Sequence, residues 1–231
     1  MYINKVSIAN LAPYLDKYEH FSFDLWLTLI RSNPLYKQKR NELFKAYFDI
    51  PIDIDTVAQT LRYYDVLANK MSEKTGLHIP KSQIYFLVLN ALQIDIMTLS
   101  EDFMQGFYQA VDDLFLTYKP ILLDDEIPQT FEYLIAANKT TNILSNTAFI
   151  HGELLYKVLA HYGIADNFTL QLYSDEVGLS KPNPQFFEHL FQTLNAVKSL
   201  PKNKIVHIGD NPYADGQGAA KAGLDFILIK S

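Results

Sequence analysis

Across two parts of this chain short apolar runs alternate with amphipathic stretches, and that alternation limits the fold more than any other feature. The runs HFSFDLW, TNILSNT, FTLQLYS, KIVHIGD and DFILIK have the length and apolar character of buried strands. EIPQTFEYLIAANK, FIHGELLYKVLAHYG, PQFFEHLFQTLN and GQGAAKAG, which lie between them, read as helices. Strand and helix in alternation predict a parallel sheet with helices on both faces, a three-layer α/β core. From Pro34 to about Tyr118 the pattern changes and is helical throughout. LYKQKRNELFKAYF is amphipathic, IDTVAQTLRYYDVLANKMSEKTG runs to Gly76, KSQIYFLVLNAL follows Pro80, and Ser100 is placed to cap EDFMQGFYQAVDDLFLTY. An all-helical block is therefore expected as an insertion after the first core strand. Residues 1–32 and 119–231 then form one discontinuous core domain, with residues 33–118 inserted.

Composition removes several other classes. A chain of 231 residues, 48% hydrophobic and 20% charged, can bury one sizeable core or a core with a small accessory domain. It has no cysteine, so neither disulfides nor thiolate metal sites hold it together and no thiol takes part in catalysis. That composition fits a reducing cytoplasm. The first residues, MYINKVSIANLAPYLDKYEH, are too polar for a signal peptide, and no apolar run reaches membrane-spanning length. The longest, IYFLVLNALQI, is broken by Asn90 and Gln93 and reads as a buried helix. A net charge of -6 argues against binding a nucleic-acid backbone, and no membrane partner is expected. No internal repeat or low-complexity linker interrupts the chain.

In open parallel sheets ligands bind beyond the carboxyl ends of the strands, and four segments end or follow a strand with a reactive group. Asp24 follows the run FSF, where a carboxylate can act as a nucleophile or simply cap a turn. Ser145 in NILSNT offers a hydroxyl, with the next backbone N–H of Asn146, to an oxyanion, or caps the following helix. Lys181 in GLSKPNP is fixed near the strand ends by Pro182 and Pro184. Asp210 and Asp215 in GDNPYADGQGAAKAG supply closely spaced hard oxygen ligands, or cap the next helix.

In order, spacing and flanking residues these segments resemble the haloacid dehalogenase (HAD) superfamily of aspartate-nucleophile hydrolases. The resemblance covers essentially the whole chain. It implies a Rossmann-like core with a helical cap inserted after the first strand. It implies Asp24 as nucleophile, Thr28 as the hydroxyl that orients it, and Ser145, Asn146 and Lys181 as the phosphate-binding groups. It also implies magnesium as cofactor, held by Asp24, the backbone carbonyl of Trp26, Asp210 and Asp215.

One position departs from the phosphatase pattern. Where that pattern has a second aspartate two residues after the nucleophile, this chain has Trp26. That aspartate protonates the leaving oxygen and then activates water, help typically worth roughly 10²- to 10⁴-fold. Three readings follow: a phosphatase that takes its proton elsewhere, another superfamily reaction such as dehalogenation or phosphonate cleavage, or a module that binds a phosphorylated ligand without turnover. Dehalogenases of the superfamily carry an aromatic residue at this place but lack the pair that is Gly209-Asp210 here, so Asp210 favours phosphate chemistry. The expected activity is magnesium-dependent hydrolysis of a small phosphorylated metabolite through an aspartyl phosphate. Among other polar residues, His151, His161 and His207 read as packing or surface groups, Arg62 as a solvated helix face, and Arg31 as a hinge residue able to reach the substrate. The 15 Tyr and 15 Phe read as packing.

Overall fold

The computed structural model describes residues 2–229. Met1, Lys230 and Ser231 lie outside them, including the last residue of the expected strand DFILIK. The strands are β1 (Tyr2–Val6), β2 (His20–Phe23), β3 (Ile30–Arg31), β4 (Ile121–Leu122), β5 (Thr140–Ser145), β6 (Leu170–Tyr173), β7 (Ile205–Gly209) and β8 (Asp225–Ile229). The helices are α1 (Tyr36–Tyr47), α2 (Ile54–Thr75), α3 (Lys81–Ala91), α4 (Glu101–Thr117), α5 (Ile127–Ala136), α6 (Gly152–His161), α7 (Ser174–Val177), α8 (Pro184–Val197) and α9 (Gly218–Lys221).

Six strands form one sheet in the order β1-β8-β7-β2-β5-β6, and each neighbouring pair is parallel. The five strands expected from the apolar runs all lie in it. The outer strand β1 was not legible in the polar N-terminal sequence. Alternate residues of each strand face opposite sides, as the period of two requires. Ile227 and Ile229 of β8 join Phe21, Phe23 and the buried side chains of α5 and α6 in one apolar cluster. Phe226 and Leu228 join Leu144 and the buried face of α8 in a second cluster. Two clusters on two faces of one sheet make the three layers.

The inserted block is all-helical, as the pattern predicts. Asp53 caps α2 by accepting from the Thr56 N–H at 2.8 Å, and Gly76 ends that helix in the left-handed region at φ 73°. Ser100 caps α4, accepting from the Phe103 N–H at 3.2 Å. Aromatic rings fill the centre of the block: Phe107 lies 5.6 Å from Phe44, 4.8 Å from Phe48 and 4.8 Å from Tyr85. Helix α3 buries Ile84, Tyr85, Val88 and Leu89, in agreement with the reading of IYFLVLNALQI as a buried helix.

Two features join the block to the sheet. At its root β3 and β4 pair antiparallel, Ile30 opposite Leu122, a ribbon too short to be seen in the sequence pattern. At the end of α2 the backbone is stitched to the loop before α8. The Ser180 N–H donates to the Gly76 carbonyl at 3.0 Å, the Asn183 amide donates to the same carbonyl at 3.1 Å, and Leu77 bridges Leu179. A side chain at Gly76 would collide with Asn183, so close approach as well as positive φ calls for glycine there. Among the described residues no helix is long and apolar enough to cross a membrane.

Candidate active site

The parallel register sets the site. Phe23 of β2 pairs with Ile208 of β7 on one side and Ile143 of β5 on the other. The chain then leaves the sheet, so Asp24, Asp210 and Ser145 all fall at the carboxyl edge of three adjacent strands. Beyond Asp24 the backbone turns sharply, with the N–H groups of Leu29 and Ile30 donating to the Leu25 carbonyl at 2.8 and 3.0 Å and Leu27 at φ 59°. This turn returns Thr28 to Asp24, where its hydroxyl donates to Asp24 Oδ2 at 3.1 Å.

Lys181 lies at the centre. Its side chain is 1% exposed, and Nζ donates to Asp24 Oδ1 at 2.6 Å and to Asp215 Oδ1 at 2.7 Å. The lysine loop is held by Asn146, whose side-chain oxygen accepts from the Lys181 N–H at 2.7 Å while its amide donates to the Lys181 carbonyl at 2.9 Å. Asp215 comes from a π-helical turn, Pro212–Gln217, which precedes α9 and takes up part of the helix expected from GQGAAKAG. Its Oδ2 accepts from the Asn211 N–H at 3.0 Å. A Cβ at Gly209 would collide with the Asp215 carboxylate, which accounts for the glycine that ends β7.

His207 was expected to be a packing residue, and its ring does pack at 5.1 Å from Phe187. It also lies within hydrogen-bond reach of the site, 3.2 Å from Nε2 to Asp215 Oδ1, and Nδ1 is 3.0 Å from Ser22 Oγ. Burial pushes the imidazole pKa down, against Asp215. A neutral ring that donates from Nε2 and accepts from Ser22 at Nδ1 satisfies both contacts.

Side-chain oxygens of Asp24, Asp210 and Asp215 all lie within 4.8 Å of one another. Burial pushes Asp24 up to about 6; Lys181 opposes the rise and Asp215 adds to it. Burial, with the charges of Asp24 and Asp215, pushes Asp210 up to about 7. Burial also acts to raise Asp215, but Lys181 and His207 outweigh it and hold the group at about 2. The lysine is itself raised, because Asp215 and Asp24 outweigh its burial. When all three carboxylates are ionised, one ammonium leaves two negative charges uncompensated, the charge of one divalent cation, and the upward shifts of Asp24 and Asp210 reflect that crowding together with burial. An all-oxygen donor set of this kind suits magnesium.

A cavity of about 430 Å³ opens above these groups, and Asp24, Trp26, Asn146, Lys181, Asp210 and Asp215 all line it. Thr28 and Ser145 do not. The Ser145 hydroxyl is buried behind the strand end and donates to the Asn146 carbonyl at 3.3 Å. Arg31 is exposed on β3 and does not line the cavity either. Arg62, read as a solvated face, does line it, and is paired with Asp65 at 3.1 Å. Tyr36, Arg40, Glu73 and Asn211 are among the lining residues that escaped the sequence reading. Glu73 accepts from the Asn211 amide at 3.0 Å, and burial raises its carboxyl.

Comparison with known proteins agrees with this fold. A phosphoserine phosphatase of Thermus thermophilus is 38% identical over 77 residues, a stretch that takes in 33% of this chain and 29% of that enzyme. A HAD hydrolase of Bacillus subtilis, YfnB, whose structure was determined with magnesium bound, superposes with a TM-score of 0.66 at 19% identity, over 92% of this chain and 88% of that one. A 2-haloacid dehalogenase of Pseudomonas syringae superposes with a TM-score of 0.62 at 20% identity, over 91% and 86%. At such identities these structures bear on the fold alone. The family model for haloacid dehalogenase-like hydrolases matches residues 18–223, and the chain belongs to that family.

Proposed function

We propose that the protein is a magnesium-dependent phosphatase that hydrolyses a small phosphomonoester through an aspartyl phosphate on Asp24. Residues 33–118 act as a cap over a core made of residues 1–32 and 119–231. The observation that carries this reading is the trio of buried Asp24, half-buried Asp210 and buried Asp215, two of them bonded to Lys181. Displacement of a halide needs no metal, and it leaves this surplus of negative charge without a purpose.

In the first step an Asp24 oxygen attacks phosphorus, the bond from phosphorus to the leaving oxygen breaks, and that oxygen takes up a proton. In the second, water gives its oxygen to phosphorus, orthophosphate departs and the Asp24 carboxylate is restored. Thr28 holds one Asp24 oxygen and Lys181 the other, which fixes the carboxylate for attack. Lys181 and the Asn146 backbone N–H stabilise the phosphoryl oxygens, joined by Ser145 once its hydroxyl gives up the Asn146 carbonyl. Asp24, Asp210, Asp215 and the Trp26 carbonyl would hold the metal. Magnesium, when bound, offsets negative charge on the carboxylates and the transferring group.

Hydrolysis of an aryl phosphate, with and without magnesium, tests the reading. The natural chain is expected to turn over only with the metal, and Asp24→Asn to be inactive while still folded. Metal-independent turnover, or activity that survives Asp24→Asn, would overturn it.

A further inference from the structure

Part of the cavity wall comes from α1, where Tyr36 and Arg40 stand one helical turn apart on the same face. Both are buried, at 5% and 6% exposure. A guanidinium this deep is normally matched by a carboxylate, since an uncompensated buried charge is costly. Arg40 has no ion pair among the described residues. One terminal nitrogen donates to Asn41 Oδ1 at 3.1 Å, the guanidinium carbon lies 5.2 Å from the centre of the Phe149 ring, and Nε has no partner. The Tyr36 hydroxyl has none either. The acids nearest this region are already matched, Asp65 by Arg62 and Asp112 by Lys81, each at 3.1 Å. Both residues thus line the cavity that holds Asp24, and beyond the single bond to Asn41 the guanidinium Nε and the phenol hydroxyl, both shielded from solvent, have no acceptor among the described residues.

We propose that Arg40 and Tyr36 form a subsite for a carboxylate at the far end of the substrate, which makes the substrate class a small phosphorylated organic acid. The proposal rests on the phosphatase reading of Asp24 and adds to it what the molecule carries beyond its phosphoryl group. A carboxylate suits the planar guanidinium fork and accepts from a phenol as well. The charge also matches: one unpaired guanidinium beside a neutral hydroxyl balances a monoanion rather than a second phosphate. Lys37 lines the cavity too, but it is exposed, and water already screens it.

The test compares 3-phosphoglycerate with glycerol 3-phosphate, which differ by a carboxylate in place of a hydroxymethyl group. Binding is read by calorimetry with magnesium in the Asp24→Asn protein, where no turnover intervenes. 3-Phosphoglycerate is expected to bind roughly 10- to 100-fold tighter than the ester without the carboxylate, the range set by a charge-assisted hydrogen bond. Adding Arg40→Met should remove most of that preference, and Tyr36→Phe, which keeps the ring and the packing, a smaller part. Equal affinity for the two esters, absence of binding by both, or a preference that survives Arg40→Met and Tyr36→Phe would overturn the subsite. Hydrolysis by the natural chain is read separately. Selective binding without turnover of either ester would overturn the phosphatase reading and uphold the subsite, whereas turnover without preference would do the reverse.

Discussion

Trp26 is the residue that most separates this chain from the phosphatase pattern, and it lines the cavity together with Asp24. An indole can neither give a proton to the leaving oxygen nor take one from water. Trp26→Asp is therefore expected to raise kcat on a phosphomonoester with a poor leaving group by roughly 10²-fold, within the usual range for general acid–base help. An unchanged kcat in steady-state assays would mean that another group already supplies the proton. Asp24 and Asp210 were legible because each follows an apolar run directly, Lys181 because of the prolines that flank it, and Asp215 by its close spacing from Asp210. Arg40 was not, since a single arginine in LYKQKRNELFKAYF has the same local signature whether it faces water or a cavity. His207 was half legible: its place inside a strand indicated burial, but the contact with Asp215 depends on the turn beyond β7.

At the scale of elements, β2 and β5 are joined by a buried polar pair as well as by their ladder. His20 Nδ1 lies 2.8 Å from Thr140 Oγ1 and Nε2 lies 2.7 Å from Asn142 Oδ1. Burial pushes its pKa down to about 4, against the Asn142 hydrogen bond. Between pH 6.5 and 4 the unfolded chain binds a proton here that the folded chain refuses, so this group's stabilisation is complete above 6.5 and is lost as pH falls toward 4. The loss is about 3 kcal/mol. Urea denaturation at pH 7 and 4.5 should show a smaller difference for His20→Gln than for the natural chain; equal differences would refute the assignment. In the helical block an aromatic cluster lies at the centre of the packing. Phe107→Ala is expected to cost about 3–5 kcal/mol in denaturant unfolding, and a change below 1 kcal/mol would mean that the cluster is not what holds the block together. The long helices and their caps were readable from periodicity and from Asp53, Gly76 and Ser100. The β3–β4 ribbon and the seam at Gly76 were not, because they depend on contacts between segments far apart in sequence.

For the whole molecule, sheet and helical block together enclose a site with more carboxylates than cations. That imbalance couples stability to metal: a cation that binds only the folded chain raises its melting temperature in proportion to the logarithm of its concentration. Magnesium is expected to raise Tm in the natural chain and to do so much less in Asp210→Asn, as read by calorimetric scans at constant ionic strength. The strand–helix alternation made the layered architecture legible, and the change of periodicity at Pro34 marked the insertion. How the insertion sits on the sheet, and so what fills its share of the cavity wall, required the structure. The central claim is that Asp24 takes the phosphoryl group, and without an acid/base at Trp26 the acyl phosphate should break down slowly enough to accumulate. The most direct measurement is a rapid acid quench during turnover of an aryl phosphate with magnesium, followed by mass analysis of the peptide containing Asp24. A mass increase of one phosphoryl group on that peptide, absent from Asp24→Asn, is the predicted result; turnover with the peptide unmodified, undiminished in Asp24→Asn, would contradict the account.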